Sequence, residues 1–326
     1  MRYIFLTLSL LMTTFVYSQN YEWIDNKVKQ YPNYGTLEVL VDRVSKDFNT
    51  EEEKVRAYYT WIAHNITYDL NRYYSFNPPE MRITFDSERL NRSIQKQRNA
   101  KLVKRILTYK KAMCIEFSTL FNELCLRSGI QSQIIKGITK LSTNEINTTR
   151  NIKNHAWNAV KINNKWQLID VTWSTGYENM KTKSWIQRFN DFYFFTDPYE
   201  FLSSHLPQYQ HLQFVSHPIS IKSFFETPVF YSKYFESGVR IANNQKGLIE
   251  LKEKNNTITI VFKEKAKASK IYYKFENKKH SKELHFKKNK HNLYVASLNY
   301  KSNTSSSDVL SLYFENEKIL DFKIEK

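Results

Sequence analysis

The sequence predicts an α+β fold over residues 19–220, followed by an all-β sandwich-like domain over residues 221–326. A helix is predicted over residues 114–127, because apolar side chains recur on one face and a glycine two residues later provides a C-terminal stop. Two alternating segments, 155–162 and 165–172, flank a pair of asparagines that tolerates the positive φ of a tight turn. In the C-terminal part, short alternating runs separated by polar turns indicate an antiparallel sandwich of immunoglobulin-like size.

Further helices are predicted before this core. Residues 21–48 have helical apolar spacing, and a second helix begins after Thr50, which forms a capping box with Glu53. Residues 72–98 are polar and are interrupted by two consecutive prolines, so we expect a long irregular insertion there.

The N-terminus has the pattern of a signal peptide. One positive charge precedes an apolar run over residues 4–16, which is too short for a comfortable membrane span, and Ser18 offers a small residue at the cleavage position. We therefore expect residues 1–18 to be removed and the mature chain, which begins near Gln19, to be secreted or periplasmic. An N-terminal anchor or a buried helix is the alternative. No later segment is apolar enough to predict a transmembrane helix.

The chain is strongly basic, with a net charge of +17 from 49 basic and 32 acidic residues. The densest lysines lie in the C-terminal domain and are Lys263, Lys265, Lys267, Lys270, Lys274, Lys278, Lys279, Lys282, Lys287, Lys288 and Lys290. Such a surface predicts either contact with an anionic polymer at a cell surface or an ordinary solvated lysine face. Nucleic-acid binding is not predicted, because no nucleic-acid motif accompanies the charge.

The two cysteines, Cys114 and Cys125, have different predicted roles. On one helix their Cα atoms would lie about 16 Å apart, well beyond the limit of about 7 Å for a disulfide. Cys125 lies on the apolar face in the last turn and is predicted to be a core residue. Cys114 begins the helix, where the helix dipole and the unpaired N–H groups favour a thiolate and a developing oxyanion.

The predicted hairpin brings a histidine and an aspartate together. With a two-residue turn, Trp157 faces Asp170 across the strands, and His155 lies on the same face as Trp157. His155 and Asp170 are then diagonal neighbours, about 7–8 Å apart at the backbone. A three-residue turn would instead place them on opposite faces. The predicted pairing suits a Cys-His-Asp triad in which Asp170 fixes the imidazole tautomer and His155 deprotonates Cys114.

Each of these three residues alone also fits a structural role, as a helix-starting cysteine, a half-buried histidine or a capping aspartate. A zinc site is a rival for the same residues. It would require a fourth ligand at close spacing, and neither a Cys-x-x-Cys nor a His-x-x-x-His pair occurs in the sequence. We therefore expect no metal and no cofactor.

Four blocks of sequence resemble the core of the transglutaminase-like superfamily: WIAHNITYD (residues 61–69), MCIEFS (113–118) continuing to LCLRSGI (124–130), NHAWNAV (154–160) and WQLIDVTW (166–173). Two later blocks, DFYFFTDP (191–198) and SHLP (204–207), are similar to the bacterial branch related to kyphoscoliosis peptidase. The resemblance implies a papain-like α+β fold in which Cys114, His155 and Asp170 catalyse acyl transfer through a thioester. It also makes Tyr68 a candidate donor to the oxyanion, with a core tyrosine as the alternative.

One departure from the family pattern is Ala112. The family usually has glycine two residues before its cysteine. An alanine there weakens the expected loop geometry but removes no catalytic group.

Together these features predict an exported thiol enzyme that cleaves or transfers amide bonds of peptides or proteins, most simply a cysteine peptidase. Hydrolysis and transamidation differ in whether water or an amine attacks the thioester. The alternative is a non-catalytic transglutaminase-like scaffold or surface-binding module. The presence of all three triad residue types favours the enzyme, because a fold alone does not imply an activity.

Overall fold

The computed structural model describes residues 20–75, 92–149, 152–179, 182–251, 257–267, 269–300 and 307–325. The predicted signal peptide, residues 1–18, lies outside this range. The described residues contain ten α-helices: α1 (Glu22–Val28), α2 (Leu37–Asp47), α3 (Glu51–Asn65), α4 (Leu70–Ser75), α5 (Arg92–Tyr109), α6 (Cys114–Arg127), α7 (Val171–Ser174), α8 (Pro198–Phe201), α9 (Ile221–Glu226) and α10 (Lys233–Glu236). None of the helices in these ranges is both long and apolar enough to span a bilayer.

The same ranges contain nineteen β-strands: β1 (Thr67–Tyr68), β2 (Lys111–Ala112), β3 (Ser132–Thr139), β4 (His155–Ile162), β5 (Lys165–Ile169), β6 (Gly176–Asn179), β7 (Ser184–Gln187), β8 (Phe194–Thr196), β9 (His205–Pro207), β10 (Val229–Phe230), β11 (Val239–Ile241), β12 (Leu248–Glu250), β13 (Thr257–Lys265), β14 (Tyr272–Phe275), β15 (Lys282–Glu283), β16 (Lys287–Lys288), β17 (Tyr294–Asn299), β18 (Ser307–Phe314) and β19 (Glu317–Glu325).

The N-terminal residues form two helices, α1 and α2, so the prediction of one helical segment over residues 21–48 is wrong. The break contains Pro32, which lacks an N–H donor and disfavours helical backbone at the residue before it. The capping box before α3 is confirmed. The N–H of Glu53 donates to Thr50 Oγ1 (3.2 Å), and the N–H of Thr50 donates to a Glu53 carboxylate oxygen (3.0 Å).

The irregular insertion predicted over residues 72–98 is also wrong in its described parts. It overlaps the end of α4 and the start of α5, and the prolines between them lie outside the described residues. Helix α5 buries Val103, Ile106 and Leu107 at helical spacing, while its first turns are largely exposed. The sequence did not predict this helix because its first turns are polar and its buried apolar residues lie near its end.

The central five-stranded sheet has the order β8-β5-β4-β3-β9, and every neighbouring pair is antiparallel. The two-residue turn between β4 and β5 is confirmed, because Asn163 and Asn164 have φ values of 48° and 64° and Ile162 pairs with Lys165. The pairing of these strands ends at Asn158 and Ile169. The strand predicted to reach residue 172 stops there because the chain turns into α7.

Helix α6 covers one face of this sheet. It has the predicted bounds, and Gly129 follows it with a φ of 74°, a left-handed conformation that glycine adopts without strain. Its Phe117 and Phe121 belong to the same buried cluster as Val160 of β4. The sheet thus holds the helix whose first residue is Cys114.

The C-terminal domain is a β-sandwich. One sheet has the order β10-β19-β18-β14-β15, with β12 also paired to β19, and the other has the order β11-β13-β17-β16. Its buried cluster includes Ile260, Phe262, Leu310 and Phe322. The predicted α+β fold followed by a sandwich-like domain is confirmed.

Helix α9 begins at residue 221, where the second domain was predicted to start. Its Phe224 and Phe225 nevertheless pack with Ile138 and Leu206 of the central sheet. The hydrophobic core therefore changes after α9 and not before it.

A buried lysine binds the segment between α9 and β10. Lys140 follows β3 and is 1% exposed, and its Nζ donates to the carbonyl oxygens of Phe224 (2.8 Å) and Thr227 (2.7 Å) and to Thr227 Oγ1 (2.6 Å). Burial lowers the pKa of Lys140 to about 7, against an opposing effect of Glu145. These bonds fix the end of β3 to the segment that leads into β10.

Several C-terminal lysines are exposed on strands at sheet edges. Lys282 lies in β15, and Lys287 and Lys288 lie in β16, which are the last strands of their respective sheets. Lysine on an edge strand opposes the addition of a further strand from another molecule.

A buried ion pair supports the helical layer against the sheet. Arg56 of α3 is 2% exposed and forms an ion pair with Asp25 of α1 (2.6 Å) and another with Asp191. Thr60, one turn further along α3, also donates to Asp25 (2.5 Å). These contacts join the two helices to the segment before β8.

Arg56→Met should lower the free energy of unfolding by about 3–5 kcal/mol, because the buried Asp25 carboxylate loses its charged partner. Arg43→Met is the matched control, since it removes the exposed ion pair between Arg43 and Asp47 (2.7 Å) and should change stability little. Urea and thermal unfolding of both variants provide the measurement. Equal losses in the two variants would contradict the importance of burial.

Candidate active site

Cys114 is the first residue of α6 and is 2% exposed. Glu116, in the first turn, accepts a hydrogen bond from the N–H of Met113 (2.8 Å) at the helix N-terminus. Glu116 is buried and forms ion pairs with Arg72 (2.9 Å) and Arg105 (2.6 Å). Because its charge is compensated, the positive end of the helix dipole remains able to stabilise a thiolate at Cys114.

One polar contact within this helix and another to β4 hold its first turns in place. Ser118 Oγ donates to the carbonyl oxygen of Cys114 (3.0 Å), and the buried Asn158 side chain donates to the carbonyl oxygen of Ser118 (3.0 Å). Asn158 lies in the NHAWNAV block, but its residue type and spacing alone predict no contact with α6. The contacts fix the separation between the helix that begins with Cys114 and the strand that begins with His155.

His155 and Asp170 are in direct contact. His155 Nε2 lies 2.6 Å from Asp170 Oδ2, and both residues are buried. His155 is the first residue of β4, whereas Asp170 lies one residue beyond β5 and is the N-cap of α7. The prediction that both belong to neighbouring strands is therefore wrong for Asp170, and the expected pairing of Trp157 with Asp170 lies beyond the last pair of β4 and β5, Asn158 and Ile169.

The N-cap position fixes the Asp170 carboxylate. Its Oδ1 accepts a hydrogen bond from the N–H of Trp173 (3.0 Å), which satisfies a first-turn donor of α7. Its backbone N–H donates to the carbonyl oxygen of Tyr193 (3.0 Å). Aspartate is favoured at a helix N-cap, so the residue type that suits an active site also ends the strand here.

The electrostatics of the pair favour opposite charges. Burial disfavours the imidazolium, but the Asp170 carboxylate and then the Cys114 side chain outweigh it and raise the pKa of His155 to about 10. Burial also disfavours the carboxylate, but His155 and then His205 hold the pKa of Asp170 well below its usual range. The influence of Cys114 on the pKa of His155 indicates that the thiol lies near the imidazole. Since Nε2 faces Asp170, the Nδ1 atom is the one available to Cys114.

Tyr68, the candidate oxyanion donor, lies in β1 and pairs with Ala112 of β2. Burial and the nearby Cys114 raise the pKa of Tyr68 well above its usual value, so its phenol keeps a proton that it can donate. Its ring also stacks on Trp185, with ring centroids 5.1 Å apart. Ala112 is buried, and its carbonyl oxygen accepts from the N–H of Asp69 (2.9 Å), so strand pairing holds the segment before Cys114.

A second histidine, His205 of the SHLP block, also lies close to Asp170. His205 Nε2 lies 3.0 Å from Asp170 Oδ2, and Ser204 Oγ lies 2.8 Å from His205 Nδ1. His205 is the first residue of β9 and is fully buried. Its place in a quoted block was the only sequence signal for this contact.

His155, Asp170 and His205 each offer one metal-ligand atom, and these atoms lie within 4.8 Å of one another. Both imidazoles, however, direct Nε2 at the same carboxylate oxygen. A metal ion would have to replace both hydrogen bonds, and the three groups satisfy one another without it.

Comparison with known proteins identifies relatives of this chain. Residues 39–171 match the transglutaminase-like superfamily. The chain is similar to kyphoscoliosis peptidase of Homo sapiens, with 27% identity over 243 residues, which cover 74% of this chain and 34% of that protein. The protein of the same name from Mus musculus is 27% identical over 241 residues, covering 74% and 33%.

Cytokinesis protein 3 of Schizosaccharomyces pombe is 24% identical over 246 residues, covering 74% of this chain and 25% of that protein. The chain thus spans about a third or less of the length of these relatives. A solved structure described as "Crystal structure of a TGase" is 18% identical, and the match covers 56% of this chain and 38% of that chain. The TM-score of this match is 0.28.

The matched segment contains Cys114, His155 and Asp170, and the similarity to kyphoscoliosis peptidase extends over most of the chain. The resemblance to the transglutaminase-like superfamily is confirmed. Residues 39–171 of this chain therefore match a transglutaminase-like domain, and this superfamily includes cysteine peptidases and acyltransferases.

Proposed function

We propose that this protein is a thiol enzyme that acts on amide bonds of peptides or proteins through a thioester on Cys114, most simply as a cysteine peptidase. The observation that carries the proposal is that the His155 ring interacts with Asp170 (2.6 Å) while the nearby Cys114 side chain also raises the pKa of that ring. An imidazole held by a carboxylate and placed against a cysteine at a helix N-terminus is an arrangement that activates a thiol.

In the first step, the Cys114 thiolate attacks the amide carbonyl carbon and forms a tetrahedral intermediate. The imidazolium of His155 then donates its Nδ1 proton to the leaving amine as the carbon–nitrogen bond breaks, which leaves a thioester and a neutral imidazole. Asp170 remains ionised throughout and stabilises the imidazolium before this transfer.

In the second step, a nucleophile attacks the thioester carbonyl. His155 takes a proton from water or from an amine, the carbon–sulfur bond breaks, and the Cys114 thiolate and the imidazolium are restored. Water gives hydrolysis, and an amine gives a new amide. The similarity to two proteins named as peptidases supports hydrolysis as the simpler outcome.

Two kinds of donor support the oxyanion of each tetrahedral intermediate. The first N–H groups of α6 precede its internal hydrogen bonds, the earliest of which runs from the N–H of Glu116 to the carbonyl oxygen of Met113 (2.8 Å). The protonated phenol of Tyr68 is the second candidate, because it lies close enough for Cys114 to raise its pKa.

The role of Cys114 is tested by replacing each cysteine in turn. Cys114→Ala should abolish turnover and rapid labelling by iodoacetamide, because no other group forms the thioester. His155→Ala should be comparably severe, since the thiol loses its base and the leaving amine its acid. Mass spectrometry of labelled peptides and turnover of a peptide library, with and without an added amine, provide the measurements.

Cys125→Ala is the matched control for this experiment. Cys125 is fully buried and burial raises the pKa of its thiol, so this variant should retain both labelling and turnover. Full turnover by Cys114→Ala would exclude the proposed enzyme. Slow labelling of the wild-type protein, with no turnover of any amide, would favour the non-catalytic scaffold or surface-binding module.

The charge of Asp170 should set the alkaline limit of activity. With the carboxylate present, the pKa of His155 is about 10, so imidazolium persists as pH rises and is lost only near that value. Asp170→Asn removes the main attraction while burial still disfavours the cation, so the alkaline limb of the kcat/KM profile should move toward or below the ordinary imidazole pKa of about 6.5. Asp47→Asn, remote from the site, should leave the limb in place; an unmoved limb in Asp170→Asn would refute the assignment.

We also propose that the protein is exported, on the basis of the N-terminal apolar run and Ser18. N-terminal sequencing of the protein from the culture medium or periplasm should return a chain that begins at or near Gln19. Recovery of a chain that begins at Met1 from that fraction would contradict cleavage.

A further inference from the structure

The contacts of His205 identify one tautomer of its ring. Burial and then the nearby His155 outweigh Asp170 and lower the pKa of His205 to about 4, so the ring is neutral at physiological pH. A neutral imidazole carries one N–H. Because the Asp170 carboxylate has no proton to donate, the His205 proton must be on Nε2, where it donates to Asp170 Oδ2 (3.0 Å). The remaining nitrogen, Nδ1, accepts the hydroxyl proton of Ser204 (2.8 Å).

The surrounding side chains hold this ring in place. His205 stacks on Phe201, with ring centroids 4.1 Å apart, and lies against Trp173, with centroids 4.4 Å apart. His205 has no solvent-accessible surface, so these neighbours and Ser204 enclose the ring completely. The donor is therefore aimed at Asp170 before any substrate arrives.

The strand between the two histidines is shaped to bring them together. Gly137 of β3 pairs with His155 on one side and with Pro207 on the other. A Cβ atom at residue 137 would collide with the backbone of Leu206 and with the Trp157 ring. Glycine therefore allows β9 to approach β3 closely enough for His205 to reach the carboxylate that His155 also uses.

We propose that His205 is a positioning residue that keeps Asp170 ionised and oriented toward His155 by donating a second hydrogen bond to the same carboxylate oxygen. This inference rests on the proposed function for its catalytic consequence. Asp170 Oδ2 accepts hydrogen bonds from Nε2 of His155 and from Nε2 of His205, and Oδ1 accepts one from the N–H of Trp173. A buried carboxylate with fewer donors is more easily protonated, and a protonated Asp170 no longer stabilises the imidazolium that accompanies the Cys114 thiolate.

The predicted effect lies on the acidic side of the pH profile. Without His205, Asp170 should take up a proton at higher pH than in the wild-type protein, so activity should be lost earlier as pH falls. The other titratable groups near Asp170 are Cys114 and the phenols of Tyr59, Tyr68 and Tyr193. Burial raises the pKa of each phenol well above its usual value, so the three phenols stay neutral at acidic pH.

His205→Phe is the principal variant, because it keeps an aromatic ring in the same packing and removes the donor. The acid limb of Cys114 alkylation and of kcat/KM should move up by about one pH unit or more, and kcat/KM at neutral pH should fall about tenfold or more. His205→Gln should restore most of the wild-type profile, since its amide nitrogen can occupy the position of Nε2. Thermal melts show whether each variant is folded at the pH values used.

His205→Asn is a second comparison in case the phenylalanine variant does not fold. Its amide is as polar as that of glutamine but too short to reach Asp170, so its acid limb should resemble that expected for His205→Phe. An acid limb that is the same in the wild-type protein and in all folded variants would show that His205 is only a core residue.

An NMR titration of the His155 imidazole separates this inference from the proposed function, because it needs no substrate and no reactive thiol. In His205→Phe, the His155 signals should show an added titration step on the acidic side as Asp170 is protonated. If this step appears while wild-type Cys114 fails to label and no amide is turned over, the positioning role stands and the proposed enzyme fails. If the wild type is active and the step is absent, the positioning role fails alone.

Discussion

The buried carboxylate of Asp170 is the constraint on which the rest of the site depends. It has no exposed surface, so its charge must be stabilised entirely by the protein. His155 and His205 both contact Oδ2, and the N–H of Trp173 donates to Oδ1. Each donor comes from a different part of the central sheet or the turn after it. The fold must therefore bring these parts together with hydrogen-bond accuracy, or the carboxylate would protonate and His155 would lose its partner.

The antiparallel order of the sheet explains how these parts meet. Because β4 and β5 form a hairpin, the start of β4 and the end of β5 lie at the same edge of the sheet, the edge formed by strand ends. β9 is antiparallel to β3, which is antiparallel to β4, so β9 also begins at that edge. Both histidines consequently meet Asp170, although His155 precedes it by 15 residues and His205 follows it by 35. The helix bearing Cys114 is joined to the same edge through Asn158 and Ser118.

More distant contacts hold the same edge from outside. Arg56 pairs with Asp191 just before Tyr193, whose carbonyl oxygen accepts the backbone N–H of Asp170. On the other side, the N–H of Lys140 donates to the carbonyl oxygen of Ser204 (3.2 Å), and its side chain binds the segment that enters the C-terminal sandwich. The segment that enters the C-terminal sandwich is thus connected, through Lys140, to the residue that precedes His205.

The sequence by itself determined the local elements and the pairing that local turn chemistry specifies. The bounds of α6, the capping box at Thr50 and the two-residue turn at Asn163 follow from helix periodicity, side-chain capping and tolerance of positive φ, all of which act within a few residues. The Cys-His-Asp proposal followed from that register and from motif resemblance. The end of β5 was predicted wrongly because an aspartate such as Asp170 can lie in a strand or cap a helix. The short helix α7, which decides between the two, was not predicted from the sequence.

Only the tertiary structure decided the contacts that are not local. His205 meets Asp170 across intervening strands, and no spacing rule relates residues that share a site through the order of a sheet. The same applies to α5, whose first turns are largely exposed and whose buried side chains are explained by the core they join. Burial then set the charges, because desolvation and the proximity of Asp170, His155 and His205 depend on the folded surroundings and not on the residue types alone.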